Sequence, residues 1–472
     1  MNKNDKKAVK AGFWYTISSF ITKGSTIITT PIFARLMSKE DLGVVSNVSA
    51  WVLLLLPLVS FDFYMSIRLA KYDYKDEIDK YSSSVVVYGS LLTMVFYVAA
   101  IIFRDPVCSF LEVNETQLHV IFLYFLLHPA LSVYQAQNAI FYRYRKSTMV
   151  SLGGFFFSTV SGIVFVLLSE DKATGRIIGG RGAYILISLI IYIYLLKKGG
   201  FSFKYFKYAL VISFPLIWHT LSMHLLSSCD RIVITKYFGP EKAALYSIAY
   251  TAAHAISLLY HSLGNAWSTW ALDQIHEDRY EKHKKVSTVY ALLFMVMAVG
   301  LLLVGPEMLL VLGGKKYMEA VNVIPPALLA VVPQMIYSLY INSENYMKKQ
   351  KFIAIGTMLA GLINLVLNII FIPKFGYVAA AYTTFVGYFL LYLFHYYISM
   401  KIGMKRFYDN KVYFLIILAS IALIPVSIWL YGHTIIRYIA VAVYFLALVT
   451  AAILFRDKIM LAKDMFFTKK KV

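Results

Sequence analysis

Fourteen apolar stretches, each about twenty residues long, follow one another along this chain of 472 residues. A helix needs about 20 such residues to cross the hydrocarbon core of a bilayer. No water reaches exposed backbone groups there, so the stretches must fold as helices that satisfy their own hydrogen bonds. They are read at about 12–34, 43–67, 82–103, 117–141, 148–169, 177–196 and 208–234, then at 243–271, 286–311, 321–345, 352–372, 377–400, 412–431 and 435–455. The stretch at 321–345 carries Pro325, Pro326 and Pro333 and is expected to be bent or broken. Charged residues are only 15% of the chain, too few to coat a soluble protein of this length. The fold class is an all-α polytopic membrane protein.

A net charge of +21 could suggest nucleic acid, but the basic residues fall in short runs between the apolar stretches. The N-terminus, every second loop and the C-terminal tail hold 32 Lys and Arg, whereas the intervening loops hold 13. That bias places both termini in the cytoplasm. The opening MNKNDKKAVKAG reads as a basic flank, and the apolar run after it is too long for the core of a signal peptide. Cys108 and Cys229 match no metal or redox spacing, and no disulfide is expected between them.

The chain repeats itself at an offset near 200. Ala34–Ser46 (ARLMSKEDLGVVS) parallels Thr235–Ser247 (TKYFGPEKAALYS), each joining a helix end, a turn, an acidic residue (Glu40, Glu241) and a new apolar run. AQNAIFYRYRKS at 136–147 parallels YINSENYMKKQK at 340–351, matching Asn138 with Asn342. Two six-helix lobes follow, 1–200 and 201–405, with 406–472 adding two helices and a basic tail. Six is even, so the lobes share one orientation, are related by an axis along the membrane normal, and enclose a central cavity.

Polar residues inside the apolar stretches are the candidate site. Lys23 lies near the middle of the first stretch, and an ammonium at mid-depth costs roughly 2.5–3.5 kcal/mol on insertion scales. Such a residue is expected to face a watery lumen or an anionic ligand. His219 and His224 lie in the seventh stretch, His254 and His261 in the eighth. They could donate to phosphate or sugar hydroxyls, or titrate. His254 and His261, seven apart, are expected to share a helix face, as are His219 and Asp230, eleven apart. Each histidine alone reads most simply as a packing group, but four on adjacent helices point to at least one in the cavity. Arg231 either pairs with Asp230 or holds an anionic sugar. Asp62, Asp230 and Glu344 are candidates for ion coupling or gating, weighed against structural pairing, and His128 beside Pro129 is a weaker candidate of the histidine kind. Asn364 and Asn368 are expected to bond between helices, and Trp267 and Trp270 to anchor a helix end at the membrane surface. No zinc motif, nucleophile elbow or phosphate-cradling loop is present. GRIIGGRG at 175–182 lacks a following Lys-Ser pair and is placed at the outer side. No catalytic residue, metal or cofactor is expected.

GFWYTISSFITKGSTIITTPIFARLMSKEDLGVVS and CDRIVITKYFGPEKAALYSIAY, residues 229–250, resemble the openings of the two lobes in polysaccharide flippases of the Wzx type. These belong to the superfamily that also contains multidrug exporters and the lipid II flippase. The resemblance extends over most of the chain. It implies two helix bundles around a cavity that opens alternately to either side of the plasma (inner) membrane. It implies movement of a polyprenyl-diphosphate-linked oligosaccharide to the outer leaflet, for cell-surface polysaccharide such as O-antigen. A transporter rather than an enzyme is implied, a monomer whose partners are the lipid-linked glycan, membrane lipids and polysaccharide polymerase machinery, with no nucleic acid. Such proteins commonly carry a cationic lumen, a role that Lys23 fits, and here histidines stand where relatives often show arginines. Two other readings stay open. A cation-coupled drug or metabolite exporter would want lumenal carboxylates, with Asp62 the main candidate. A membrane glycosyltransferase or polymerase would use Glu40 and Asp41, although the recurrence of Glu40 as Glu241 reads as a structural turn.

Overall fold

The structure, a computed structural model, describes residues 24, 26–141 and 143–454. Lys23 lies outside the described residues. Those described form helices and no strand. The first half runs α1 (Thr26–Leu36), α2 (Lys39–Ser60), α3 (Ile67–Asp73), α4 (Ile78–Ile102), α5 (Arg104–Leu111), α6 (Glu115–Ile140), α7 (Tyr144–Leu168) and α8 (Lys172–Gly199). The second half runs α9 (Phe206–Ala253), α10 (Ala255–His276), α11 (Tyr280–Leu303), α12 (Gly305–Gly313), α13 (Ile324–Leu329), α14 (Val331–Tyr346), α15 (Gln350–Phe375), α16 (Ala379–Lys401), α17 (Asn410–Gly432) and α18 (Thr434–Leu454). Each expected apolar stretch falls on helix, the first of them in its described part. Among the described residues eleven helical segments are long and apolar enough to span a bilayer. The protein is a multi-pass membrane protein.

Local chemistry explains the breaks. Ser38 caps α2 by accepting from the Asp41 amide, while the Asp41 carboxylate accepts from Ser38 in return. Asn114 and Gln117 do the same for α6. The proline-bearing stretch is broken as expected, into a 3-10 run Lys315–Val323, then α13, then α14. α9 joins two expected stretches into one 48-residue element with a single non-helical residue, Gly239 at φ 79°. Glycine takes that left-handed value without a Cβ penalty, and Pro240 then starts the second arm of α9.

Glycines also set how closely helices approach. Gly175 and Gly179, one turn apart, bring α8 against α7. A Cβ on Gly179 would sit 2.5 Å from the Ser161 carbonyl oxygen. Ser158 donates to the Gly180 carbonyl at 3.0 Å across the same seam. After the lobes, Arg437 of α18 makes a two-point ion pair with Glu307 of α12, at 2.5 and 2.6 Å.

The first and second halves of the chain meet along α2 and the second arm of α9, the very segments that repeat in sequence. A Cβ at Gly43 would land on the Pro240 carbonyl. The Ser46 and Ser247 hydroxyls, equivalent in the repeat, hydrogen-bond to each other. Lys39 reaches Glu241 at 2.9 Å, and Lys316 donates to the Met37 carbonyl at 2.8 Å. This end of the interface is sealed. Gly43→Ala is expected to part α2 from α9 at a cost of about 1–3 kcal/mol, the usual range for overpacking. Thermal unfolding of the purified protein would register it as a lower Tm, whereas Gly153→Ala, where nothing lies within 4 Å, leaves the Tm unchanged or raises it.

Candidate functional site

Behind the sealed end, a cavity of about 720 Å³ opens between the lobes. One wall comes from α1, α2 and α8. The other comes from both arms of α9, the start of α10, Gln334 of α14 and Tyr388 of α16. Hydroxyls are frequent in it, among them Thr26, Thr30, Ser49 and Ser227. Its charge is positive: Arg176 and Arg231 line it beside His224 and His254. Among the described residues no Asp or Glu lines it.

The two arginines are held without acids. Arg231 donates to the Ser227 carbonyl at 3.0 Å, one turn back, and its guanidinium lies 4.7 Å from the centre of the Tyr250 ring. His254 stacks on the same tyrosine at 4.0 Å. Arg176 lies 4.0 Å from the centre of the Phe33 ring. It fills space that Gly162 of α7 and Gly180 of α8 leave open, since a Cβ at either position would collide with its guanidinium. Arg181, one turn further along α8, lies 4.7 Å over Tyr124. Cation–π contacts and carbonyl bonds position these groups while leaving the positive charge uncancelled.

Of the residues singled out in the sequence, His224, Arg231 and His254 come together at the cavity. His219 does not line it, because its ring bonds to Thr357 of α15 at 3.0 Å. Asp230 faces α15 and α16 as well, so the shared face of His219 and Asp230 exists, but it packs into the lobe. The fully buried Asp230 carboxylate accepts from Tyr246 at 2.5 Å, Asn368 at 2.7 Å and Thr384 at 3.0 Å. Those donors satisfy it, and no ion pair joins it to Arg231 among the described residues. The common face expected of His254 and His261 is interrupted, because α9 ends at Ala253 and α10 begins at Ala255. The side chain of His261 lies outside the described residues. Glu344 is buried in the second lobe, 2.7 Å from the His395 ring nitrogen Nδ1. Asp62 is buried at the break after α2, away from this cavity. Asn364 and Asn368 bond between helices as expected, to Cys229 and Asp230. Trp267 stacks on Tyr290 at 5.1 Å.

Arg176 and Arg181 were missed in the sequence, where GRIIGGRG was placed at the outer side. α8 begins at Lys172, ahead of the expected start at 177, so Arg176 joins Arg181 within the helix. The available signal was the spacing of Gly175 and Gly179, a helix-packing pattern rather than a loop.

Residues 8–268 match the family described as polysaccharide biosynthesis protein, more than half of the chain. The chain belongs to that family. It is also similar to an uncharacterized membrane protein of Methanocaldococcus jannaschii, 23% identical over 467 residues and 89% of each chain. Among solved structures it resembles the lipid II flippase MurJ in an inward closed conformation. The TM-score is 0.67 at 18% identity, over 94% of this chain and 99% of that one. It also resembles an inward-facing multidrug resistance MATE family transporter of the MOP superfamily, with a TM-score of 0.60 at 13% identity, over 82% and 94%. Family and fold agree: a chain of the polysaccharide biosynthesis protein family shares its fold with a lipid II flippase and a multidrug transporter.

The different ways these charges are held predict different costs of removal. Asp230→Leu strands three buried donors, at about 1–3 kcal/mol for each left unpaired, and the Tm is expected to fall sharply. Arg176→Met strands no acid and is expected to leave the Tm within a few degrees of wild type or above it. Thermal unfolding of both variants checks the contrast.

Proposed function

We propose that this protein moves a polyprenyl-diphosphate-linked oligosaccharide from the inner to the outer leaflet of the cell membrane, for cell-surface polysaccharide biosynthesis. The observation that carries this reading is the charge of the cavity: two arginines and two histidines line it, with no acid among the described residues. A diphosphate loses strong hydration when it leaves water. Fixed cations in a low-dielectric wall replace that hydration, and guanidinium groups match phosphate oxygens in two-point geometry. The hydroxyls of Thr26, Thr30, Ser49 and Ser227 suit a sugar chain. The prenyl tail would stay in lipid while the headgroup occupies the cavity.

The direction follows from the charge bias of the loops. With both termini in the cytoplasm, the sealed end at Gly43 and Pro240 is the outer gate. Rocking of the lobes would break the Lys39–Glu241 and Ser46–Ser247 contacts and close the cavity below the site. Asp230 is suited to a gating role, because Tyr246 on the second arm of α9 bonds to it across the Gly239 break. The buried Glu344–His395 pair ties α14 to α16 in the same lobe.

A cation-coupled drug exporter shares the fold, as the MATE likeness illustrates. Arginines in the lumen would repel its cationic cargo, which favours the anionic substrate. An enzyme using Glu40 and Asp41 is disfavoured, because Asp41 is occupied in capping α2. The test is a transport assay on vesicles holding a fluorescent lipid-diphosphate-linked glycan. Arg176→Gln and Arg231→Gln are each expected to slow its appearance in the outer leaflet by about tenfold or more, roughly 1.4 kcal/mol of lost stabilisation. Wild-type rates in both variants, or faster efflux of an organic cation than of the glycan lipid, would overturn the reading. Unchanged transport after Lys23→Ala would remove that residue from the mechanism.

A further inference from the structure

A second buried site lies within the first lobe, apart from the cavity. α2 stops at Ser60, and the next two residues, Phe61 and Asp62, both take left-handed backbone, at φ 55° and 41°. The chain then passes through a short 3-10 turn, Phe63–Ser66, into α3. Left-handed values are unfavourable for residues with a Cβ and persist only where the surroundings enforce them. Their effect here is to carry the Asp62 side chain into the lobe, where the residue is 7% exposed. Among the described residues nothing hydrogen-bonds or ion-pairs with its carboxylate.

Asp62 lines a pocket of about 10 Å³ whose other polar walls are Ser60, Tyr64, His128 and Ser132. That volume is about the room of one water molecule. His128 comes from α6, beside Pro129, and its Nδ1 is buried with no hydrogen-bond partner among the described residues. An ionised carboxylate in such a place is held only if a cation or a proton neutralises it. The pocket offers a single carboxylate and a few hydroxyls, fewer oxygens than hard cations gather, and an imidazole is not the ligand that they select. Ser60 already donates its hydroxyl hydrogen to the Leu56 carbonyl at 2.8 Å. The remaining ligand that suits a carboxylate, an imidazole nitrogen and space for one water is a proton.

We propose that Asp62 and His128 form a proton-binding site in the first lobe, sharing one proton through a single water. Loaded, the pair is neutral enough to stay buried and the break after α2 stays folded inward. Unloaded, the Asp62 charge favours an outward swing toward water and Arg68 of α3. The groups around the pair are few. Tyr64 lies within electrostatic reach of both Asp62 and Arg68, and Arg181 of α8 acts on His128. The His128 ring lies 4.5 Å from that of Tyr124. α4 contributes Val85 to the pocket and the Tyr88 ring against Phe63. On α9, Phe206 packs on Phe63 at 6.1 Å, and Tyr208 is engaged with Asp73. Phe63 therefore connects the switch to the start of α9, the element that links the lobes. The site stands whatever the substrate is, so its failure leaves the flippase reading untouched.

The experiment is infrared difference spectroscopy of the full-length protein in lipid nanodiscs, titrated across about pH 5 to 8. A buried protonated carboxyl band is expected in wild type and missing in Asp62→Asn. That variant is isosteric with the neutral acid and is expected to fold. His128→Gln is expected to move the titration midpoint of the band by about one pH unit, tenfold in proton concentration. The protection of amides in residues 56–70, taken relative to the intrinsic exchange rate at each pH, should fall with rising pH in wild type and stay flat in Asp62→Asn. An Asp62→Asn spectrum identical to wild type overturns the proposal. So does a midpoint that ignores His128→Gln, a readout that holds even if the aspartate variant fails to fold. A midpoint that moves when sodium replaces choline overturns it too, by making the site one for a metal cation.

Discussion

α2 and the second arm of α9 can touch only because Gly43 presents no side chain to Pro240. That contact is the point on which the arrangement of the lobes turns. It draws together two segments that resemble each other in sequence, and it lets their matched serines, Ser46 and Ser247, hydrogen-bond to each other. The cavity is what remains behind this seal, where the helices diverge and side chains no longer fill the gap. Backbone approach works the same way inside the first lobe. Gly175 and Gly179 close α8 onto α7, and that closeness turns the Arg176 side chain into the hollow left by Gly162 and Gly180. In a bilayer, where lipid competes with side chains for apolar contact, such small-residue seams carry much of the packing.

Charge is treated in opposite ways on the two sides of α9. Asp230 is buried completely, and three donors hold its carboxyl in place within the helix packing. Arg231, its neighbour in sequence, faces the cavity and meets only a carbonyl and an aromatic ring. One helical register thus separates a satisfied negative charge from an available positive one. The same division holds for the first lobe, where the arginines of α8 rest on Phe33 and Tyr124 rather than on acids. A surface of this kind attracts anions from both walls at once, which a site confined to one lobe would not do, and it loses the attraction on one wall when the lobes part.

Helix positions were legible because the bilayer demands long apolar runs, and fourteen of them recur with helix in every one. The repeat was legible for a related reason: ARLMSKEDLGVVS and TKYFGPEKAALYS keep the same order of turn, acid and apolar run although few residues are identical. The candidate site was read less well. Periodicity placed His219 and Asp230 on one face, and they do share it, but a spacing of eleven says nothing about which neighbour that face meets. It meets α15, and the residues that turn to the cavity are His224, Arg231 and His254 instead. The arginines of GRIIGGRG were passed over for a different reason, since glycines at the start of a stretch reveal no seam until a partner helix shows where their missing side chains let it approach.

The amino-acid sequence by itself determined that this protein is a bundle of membrane-crossing helices in two related halves, because hydropathy and repetition are properties of the chain read in one dimension. It also determined that polar groups would be few and would matter, since the bilayer tolerates few of them. Tertiary structure alone decided which of those groups are spent on one another and which face the space between the halves. That choice depends on distances between helices far apart in the chain, set by where glycine lets two backbones touch.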